Sequence, residues 1–130
     1  MRFGVSYFGN RMPDHFHQRD LGELLDAGCT FVLHTFSEYD VRFYRDSVAE
    51  MVQSSKEAGL QVYIDPWGVG GVFGGEAFSR FLLDYPECWQ IRADGSRVPQ
   101  ACLRAPAFRS LMAEWIDTAS SLRPDVLFWD

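Results

Sequence analysis

The sequence predicts an α/β fold built on a parallel sheet, as a single domain over residues 1–130. Four short runs rich in β-branched and aromatic residues are typical of strands buried on both faces, and a helical pattern separates each run from the next. The runs are Phe3 to Phe8, Thr30 to Phe36, Gln61 to Ile64 and Asp125 to Trp129. Parallel strands joined by right-handed helical crossovers leave two architectures, an open doubly wound sheet or a (β/α)8 barrel.

The first two connections each predict one helix. The first helix ends at Gly28, a residue type that commonly follows a helix. The second begins at Ser37, with an acid three residues later at Asp40, and ends before Gly59. Both helices carry apolar side chains at helical spacing: Leu21, Leu24 and Leu25 in the first, and Val41, Tyr44, Val48, Met51 and Val52 in the second.

The third connection is much longer and begins with a glycine-rich loop over residues 68–75. This loop lacks the Gly-Lys-Ser/Thr ending of a phosphate-binding loop, so we expect it to lie over a pocket rather than to hold a nucleotide. A helix over about residues 76–85 is ended by Pro86, and Asp94-Gly95 predicts a hairpin turn. Pro106 begins the last helix.

Composition argues against several classes of function. Eighteen acidic and twelve basic side chains give a net charge of −6, which disfavours nucleic acid and anionic membranes as partners. No run approaches the ~18 apolar residues of a membrane span, and the first ten residues lack a signal-peptide pattern, so we expect a cytoplasmic protein. The three cysteines have no C-x-x-C spacing, so neither a disulfide framework, a metal nor another cofactor is predicted.

The motifs between residues 85 and 130 resemble the third-to-fourth-strand region of glycoside-hydrolase barrels. They are Pro-x-x-Trp from Pro86, Asp-Gly at Asp94, Cys-x-x-x-Pro-x-x-Arg from Cys102, and a strand ending in Phe128-Trp129-Asp130. The segments 34–38 and 63–67 also resemble strand ends of such barrels. The resemblance implies a TIM-barrel type of fold with only the first four β/α units present, a half-barrel. It further implies a carbohydrate-active hydrolase whose sugar cleft lies at the carboxyl ends of the strands.

Two acids are the candidate catalytic residues, Asp65 and Asp130, because each follows an apolar strand at the face where barrel enzymes assemble their sites. Glycoside hydrolysis needs two carboxylates on either side of the scissile bond. The alternative for Asp65 is an acid that starts a turn ahead of Pro66, and for Asp130 it is a C-terminal residue without a role.

Six further residues are candidates for substrate binding because they lie at or near strand ends or at the predicted mouth. They are Tyr7, His34, Glu38, Trp67, Gln100 and Arg104. Aromatic rings such as that of Trp67 provide an apolar floor for a pyranose, and polar groups bind its hydroxyls. Each has a plainer alternative: a core histidine for His34, a first-turn helix acid for Glu38, and exposed residues without a role for Gln100 and Arg104.

Two other functions stay open. A metal-dependent hydrolase or sugar isomerase would use His15 and His17, with His34 as a third ligand, although the first two lie past Pro13 rather than on a strand. A non-catalytic half-barrel would bind carbohydrate or dimerise without turnover. The expected partners are an oligosaccharide or glycoside, together with a second copy of the chain or a missing C-terminal half-barrel that covers the open strand edges.

Overall fold

The computed structural model describes residues 1–8 and 10–129, and four of its strands form a parallel sheet near the predicted positions. The order in this sheet follows the sequence, with each strand bonded to the next one of the four. The other two strands form a separate antiparallel hairpin around the predicted Asp94-Gly95 turn. The six strands are β1 (Gly4–Tyr7), β2 (Phe31–Thr35), β3 (Gln61–Asp65), β4 (Trp89–Ile91), β5 (Arg97–Ala101) and β6 (Val126–Leu127).

The helical segments follow β1, β2, β3 and the hairpin. A π-helical turn, Phe16–Asp20, joins the first two α-helices, and another, Asp40–Tyr44, leads into the third. Short 3₁₀ turns lie at Val69–Gly71 and Pro86–Cys88. The α-helices are α1 (Pro13–His15), α2 (Leu21–Asp26), α3 (Arg45–Glu57), α4 (Arg80–Asp84) and α5 (Pro106–Ser121).

The half-barrel prediction is wrong, because the described strands form a small open sheet of four parallel strands and a separate antiparallel pair. The outer strand β6 has only two residues, which pair with Tyr63 and Ile64, so it adds little to the sheet. The long third crossover also folds into α4 and the separate β4–β5 hairpin. The chain is a small α/β domain with an open, parallel four-stranded sheet and an antiparallel pair beside it.

The two faces of the sheet are covered unequally. Val32, Val62 and Ile64 are fully buried beneath the helices. Their neighbours in the chain, Phe31 and Tyr63, are only half-buried and lie outside the main core, although their rings stack with centroids 5.0 Å apart. Successive side chains of a strand point to opposite faces, so the helices cover one face and leave the other partly open. The strands are therefore not buried on both faces as the sequence indicated.

The last helix secures the carboxyl end of the sheet from the covered side. The buried Trp115 of α5 donates its indole N–H to the carbonyl of Phe36, just after β2, at 2.7 Å. Near the start of α5, the rings of Phe108 and Phe81 lie 5.4 Å apart, which joins α5 to α4. Within the described part of the chain, every helix is too short or too polar to span a membrane.

Candidate functional site

A groove with a volume of about 260 Å³ opens at the carboxyl end of the parallel sheet. It lies where the segments after β1, β2 and β3 come together, which is where open α/β sheets commonly bind ligands. The lining combines aromatic rings, hydroxyl groups and one ion pair. The residues are Phe8, Arg11, Thr35, Ser37, Asp40, Tyr44 and Trp67.

Phe8 and Trp67 form the aromatic wall of the groove. Their rings stack with centroids 5.4 Å apart and planes 16° apart, and Phe8 is 61% exposed. Gly75 lies directly against the Trp67 indole, since a Cβ on Gly75 would come within 2.3 Å of it. Gly75 also has a φ of +105°, which glycine adopts most readily. The glycine loop therefore packs against Trp67 and holds the wall in place.

An ion pair between Arg11 and Asp40 forms the polar base of the groove. The Arg11 Nε and Nη2 atoms donate to the two Asp40 oxygens, a side-on bidentate arrangement, and the Nη2 bond is 3.0 Å long. Nη2 also donates to the carbonyl and hydroxyl oxygens of Thr35, and Nη1 donates to the Asn10 carbonyl. The Arg11 side chain is 12% exposed and that of Asp40 is 5% exposed, so the pair is largely withdrawn from water.

Ser37 and Asp40 form the helix cap that the sequence indicated. The Asp40 carboxylate accepts from the Ser37 backbone N–H at 2.7 Å, and Asp40 N–H donates back to the Ser37 hydroxyl. The turn that follows is π-helical, which adds a residue to the turn and rotates the apolar stripe. Tyr44, predicted to lie on the buried stripe, is instead 43% exposed and borders the groove.

Asp65 lies at the end of β3, next to Thr35 of β2 in the strand register. It is 3% exposed, and its backbone carbonyl accepts from the N–H groups of Phe36 and Trp67. The acid is thus placed between two residues that border the groove, Thr35 and Trp67. Asp130, the other predicted catalytic acid, lies outside the described residues.

Tyr7 and His34 lie at the same end of the sheet but on the helix-covered face. Their rings are 5.8 Å apart, and both contact the buried ring of Phe16. The Tyr7 hydroxyl donates to the Asp20 carboxylate, and burial together with this bond raises the pKa of Tyr7 above its usual value. Neither Tyr7 nor His34 borders the groove, so the structure does not bring them together with Trp67.

His34 is a neutral residue of the core. The Ser55 hydroxyl donates its proton to the Met51 carbonyl, so the 3.0 Å contact between His34 Nε2 and Ser55 Oγ requires the imidazole to donate. Burial, and to a smaller extent the charge of Arg11, lower the pKa of His34 to about 3. The neutral tautomer with the proton on Nε2 is therefore the form present at neutral pH.

Glu38 has a clear structural role. Its carboxylate accepts from the Ser79 hydroxyl at 2.6 Å and from the backbone N–H groups of Gly70 and Phe81, both at 3.0 Å. These bonds tie the glycine loop and the start of α4 to the end of β2. They also account for the late start of α4, which begins at Arg80 rather than near residue 76, with Ser79 as its N-cap.

Gln100 and Arg104 are exposed on β5 and in the turn before α5, and neither borders the groove. His15 approaches Asp20, the partner of the Tyr7 hydroxyl, at 3.4 Å and does not border the groove. Across residues 1–8 and 10–129, no three His, Cys, Asp or Glu side chains come together in a way that could hold a metal ion.

The sequence interpretation missed most of the groove's polar lining. Arg11 and Asp40 are 29 residues apart in the chain, and neither belongs to a motif that would pair them. Two signals were available: the acid of the Ser37 cap, and the polar residue Thr35 at the end of an apolar strand. No pattern in the sequence predicted the π-helical turn that exposes Tyr44.

Comparison with known proteins gives this chain no family. No family model matches it, and no curated protein matches it. The resemblance to glycoside-hydrolase barrels therefore rests on the sequence motifs alone.

Proposed function

We propose that this chain is a carbohydrate-active protein that binds a glycoside in the groove at the carboxyl end of its sheet. The observation that carries the proposal is the stacked pair of exposed Phe8 and half-buried Trp67 beside a hydroxyl-rich lining. A pyranose has an apolar C–H face that packs on an aromatic ring and a rim of hydroxyls that bind polar groups. The volume of about 260 Å³ lies just below the range of about 300–1,000 Å³ that is usual for small-molecule sites, which suits a single sugar ring.

Asp65 is the proposed catalytic acid of a glycoside hydrolase. Asp40 is a poor alternative, because Arg11 and Ser37 already occupy both of its oxygens. Asp65 ends β3, and its backbone carbonyl accepts from the Trp67 N–H, which places this acid next to the aromatic wall. Hydrolysis also needs a second carboxylate, and the sequence candidate for it is Asp130.

The binding proposal is tested with Trp67→Ala, and Trp129→Ala is the matched control. Trp129 is likewise a tryptophan that follows a strand of the parallel sheet, but it lies outside the groove. A panel of methyl glycosides of glucose, galactose, mannose and xylose would be titrated by ligand-observed NMR. We expect Trp67→Ala to weaken binding about tenfold or more, and Trp129→Ala to leave it within about threefold, since stacking on aromatic rings contributes ~1 kcal/mol or more. Equal losses in the two variants would contradict the proposed site.

The hydrolase proposal is tested by turnover of the matching aryl glycosides, with Asp65→Asn as the variant. The amide keeps the size of the side chain but cannot donate a proton as an acid does. We expect kcat to fall by about a thousandfold with little change in KM. Sugar binding without turnover by the unmodified chain would instead identify a non-catalytic carbohydrate-binding protein.

A further inference from the structure

We infer that the groove selects neutral glycosides over acidic ones, an inference that rests on the proposed sugar-binding function. Acidic sugars such as uronides carry a carboxylate, and proteins usually bind that group with the two-pronged N–H face of an arginine. Among the described residues that border the groove, Arg11 is the only cation. The selectivity therefore depends on whether the Arg11 guanidinium is available to a ligand.

The Arg11 guanidinium is already engaged within the protein. Its Nε and Nη2 atoms face the two oxygens of Asp40, which is the geometry a uronide carboxylate would need. The remaining bonds reach Thr35 and Asn10. A uronide would have to displace Asp40, whose carboxylate would then be left buried without its counter-charge.

The net charge of the whole chain also disfavours the binding of acidic sugars. Arg11 and Asp40 cancel each other, so the residues that border the groove carry no net charge. The chain as a whole carries a net charge of −6, which disfavours the approach of an anion. The remaining polar lining is made of hydroxyl groups, from Thr35, Ser37 and Tyr44, which suit the hydroxyls of a neutral sugar.

The first test uses the unmodified chain and matched pairs of ligands: methyl glucoside with methyl glucuronide, and methyl galactoside with methyl galacturonide. We expect the neutral member of a pair to bind at least about tenfold more tightly, equivalent to ~1.4 kcal/mol. Uronides that bind as tightly as their neutral partners, or more tightly, would overturn the inference and leave the sugar site standing. Absence of binding by every sugar would instead overturn the proposed function.

The second test uses Asp40→Asn, which keeps the shape of the side chain and removes the charge that neutralises Arg11. Asp20→Asn is the matched control, because Asp20 also lies on a π-helical turn and binds a side chain from the β1 region but is outside the groove. We expect Asp40→Asn to raise the ratio of uronide affinity to neutral-glycoside affinity about tenfold. Asp20→Asn should leave the ratio unchanged. An unchanged ratio of uronide to neutral-glycoside affinity in an Asp40→Asn variant that folds, as checked by circular dichroism, would overturn the inference. If that variant does not fold, the ratio measured for the unmodified chain decides the inference.

Discussion

His34 and Thr35 are neighbours at the carboxyl end of β2, and they belong to different parts of the molecule. His34 lies on the helix-covered face, where it donates to Ser55 and its pKa is lowered to about 3. Thr35 borders the groove and accepts from Arg11. The two residues share a strand end and differ only in the face to which they point. A position at the end of a strand therefore does not by itself place a side chain in the site.

The strand register extends this difference across the sheet. Tyr7 pairs with His34, and His34 pairs with Ile64, so these three residues form one row on the covered face. Thr35 pairs with Asp65 in the next row. We conclude that the covered row stabilises the fold and that Thr35, together with the segments that follow β1, β2 and β3, forms the groove.

The largest expected effect separates the two faces of β3. Ile64→Ala removes a fully buried side chain and should lower the free energy of unfolding by about 3–4 kcal/mol. Tyr63→Ala, one residue earlier on the half-buried face, should cost only about 1 kcal/mol. Urea denaturation of both variants measures the difference. A cost for Tyr63→Ala equal to that of Ile64→Ala would mean that a partner, such as a second copy of the chain, covers this face.

Acid should destabilise the folded chain because His34, in the covered row, is buried in its neutral form. The folded-state pKa of His34 is about 3, below the 6.5 of an ordinary histidine, so below pH 6.5 the unfolded chain binds a proton that the folded chain does not. The resulting stability loss begins near pH 6.5, grows as the pH falls toward 3, and reaches about 3 kcal/mol at pH 4.5.

His34→Gln removes this titration and serves as the comparison. Its unfolding free energy should fall less than that of the unmodified chain between pH 7 and pH 4.5, as measured by urea denaturation at each pH. Parallel losses in the two proteins would show that His34 is not the residue responsible.

A smaller effect is expected at the aromatic wall. Gly75→Ala places a methyl group against the Trp67 indole at a positive φ and should cost about 1–2 kcal/mol. It should also weaken sugar binding, because the ring must move. Gly22→Ala is the matched control, since nothing lies within 4 Å of its Cβ position and alanine favours the helix by up to about 1 kcal/mol. Unchanged sugar binding by Gly75→Ala would argue against a role for the Trp67 position.

The smallest expected effect concerns Tyr7. Tyr7→Phe removes the hydrogen bond to Asp20 and should lower the free energy of unfolding by about 1 kcal/mol. Because Tyr7 lies on the covered row, the affinity for the preferred methyl glycoside should stay the same within experimental error. A clear loss of affinity without a loss of stability would place the Tyr7 hydroxyl in the site.

Local sequence patterns predicted the elements of this fold better than their assembly. The four strands, the Asp94-Gly95 hairpin turn and the start of α5 at Pro106 lie at or near their predicted positions, because side-chain type and glycine or proline content act over a few residues. Closure of the sheet depends on the length and pairing of β6, which no local pattern specifies. The half-barrel prediction was wrong about how the strands assemble, not about where they lie in the sequence.

The site was predicted only in part, for a similar reason. Trp67 follows a strand and lies beside a glycine-rich loop, and both signals are local. The bond between Arg11 and Asp40 joins distant segments and forms only once β1 and β2 are adjacent. The sequence predicted Tyr7 in the site, but Phe8 borders the groove instead, because Tyr7 points to the helix-covered face.

The central claim, that the groove at the carboxyl end of the sheet binds the sugar, is tested most directly by NMR chemical-shift mapping. The preferred methyl glycoside would be added to the ¹⁵N-labelled chain and the amide and indole signals followed. We predict that the Trp67 indole and the amides of Thr35 and Ser37 shift in a saturable way, while those of Gln100 and Arg104 do not. Saturable shifts centred on the β4–β5 hairpin, with the Trp67 indole unchanged, would contradict the account.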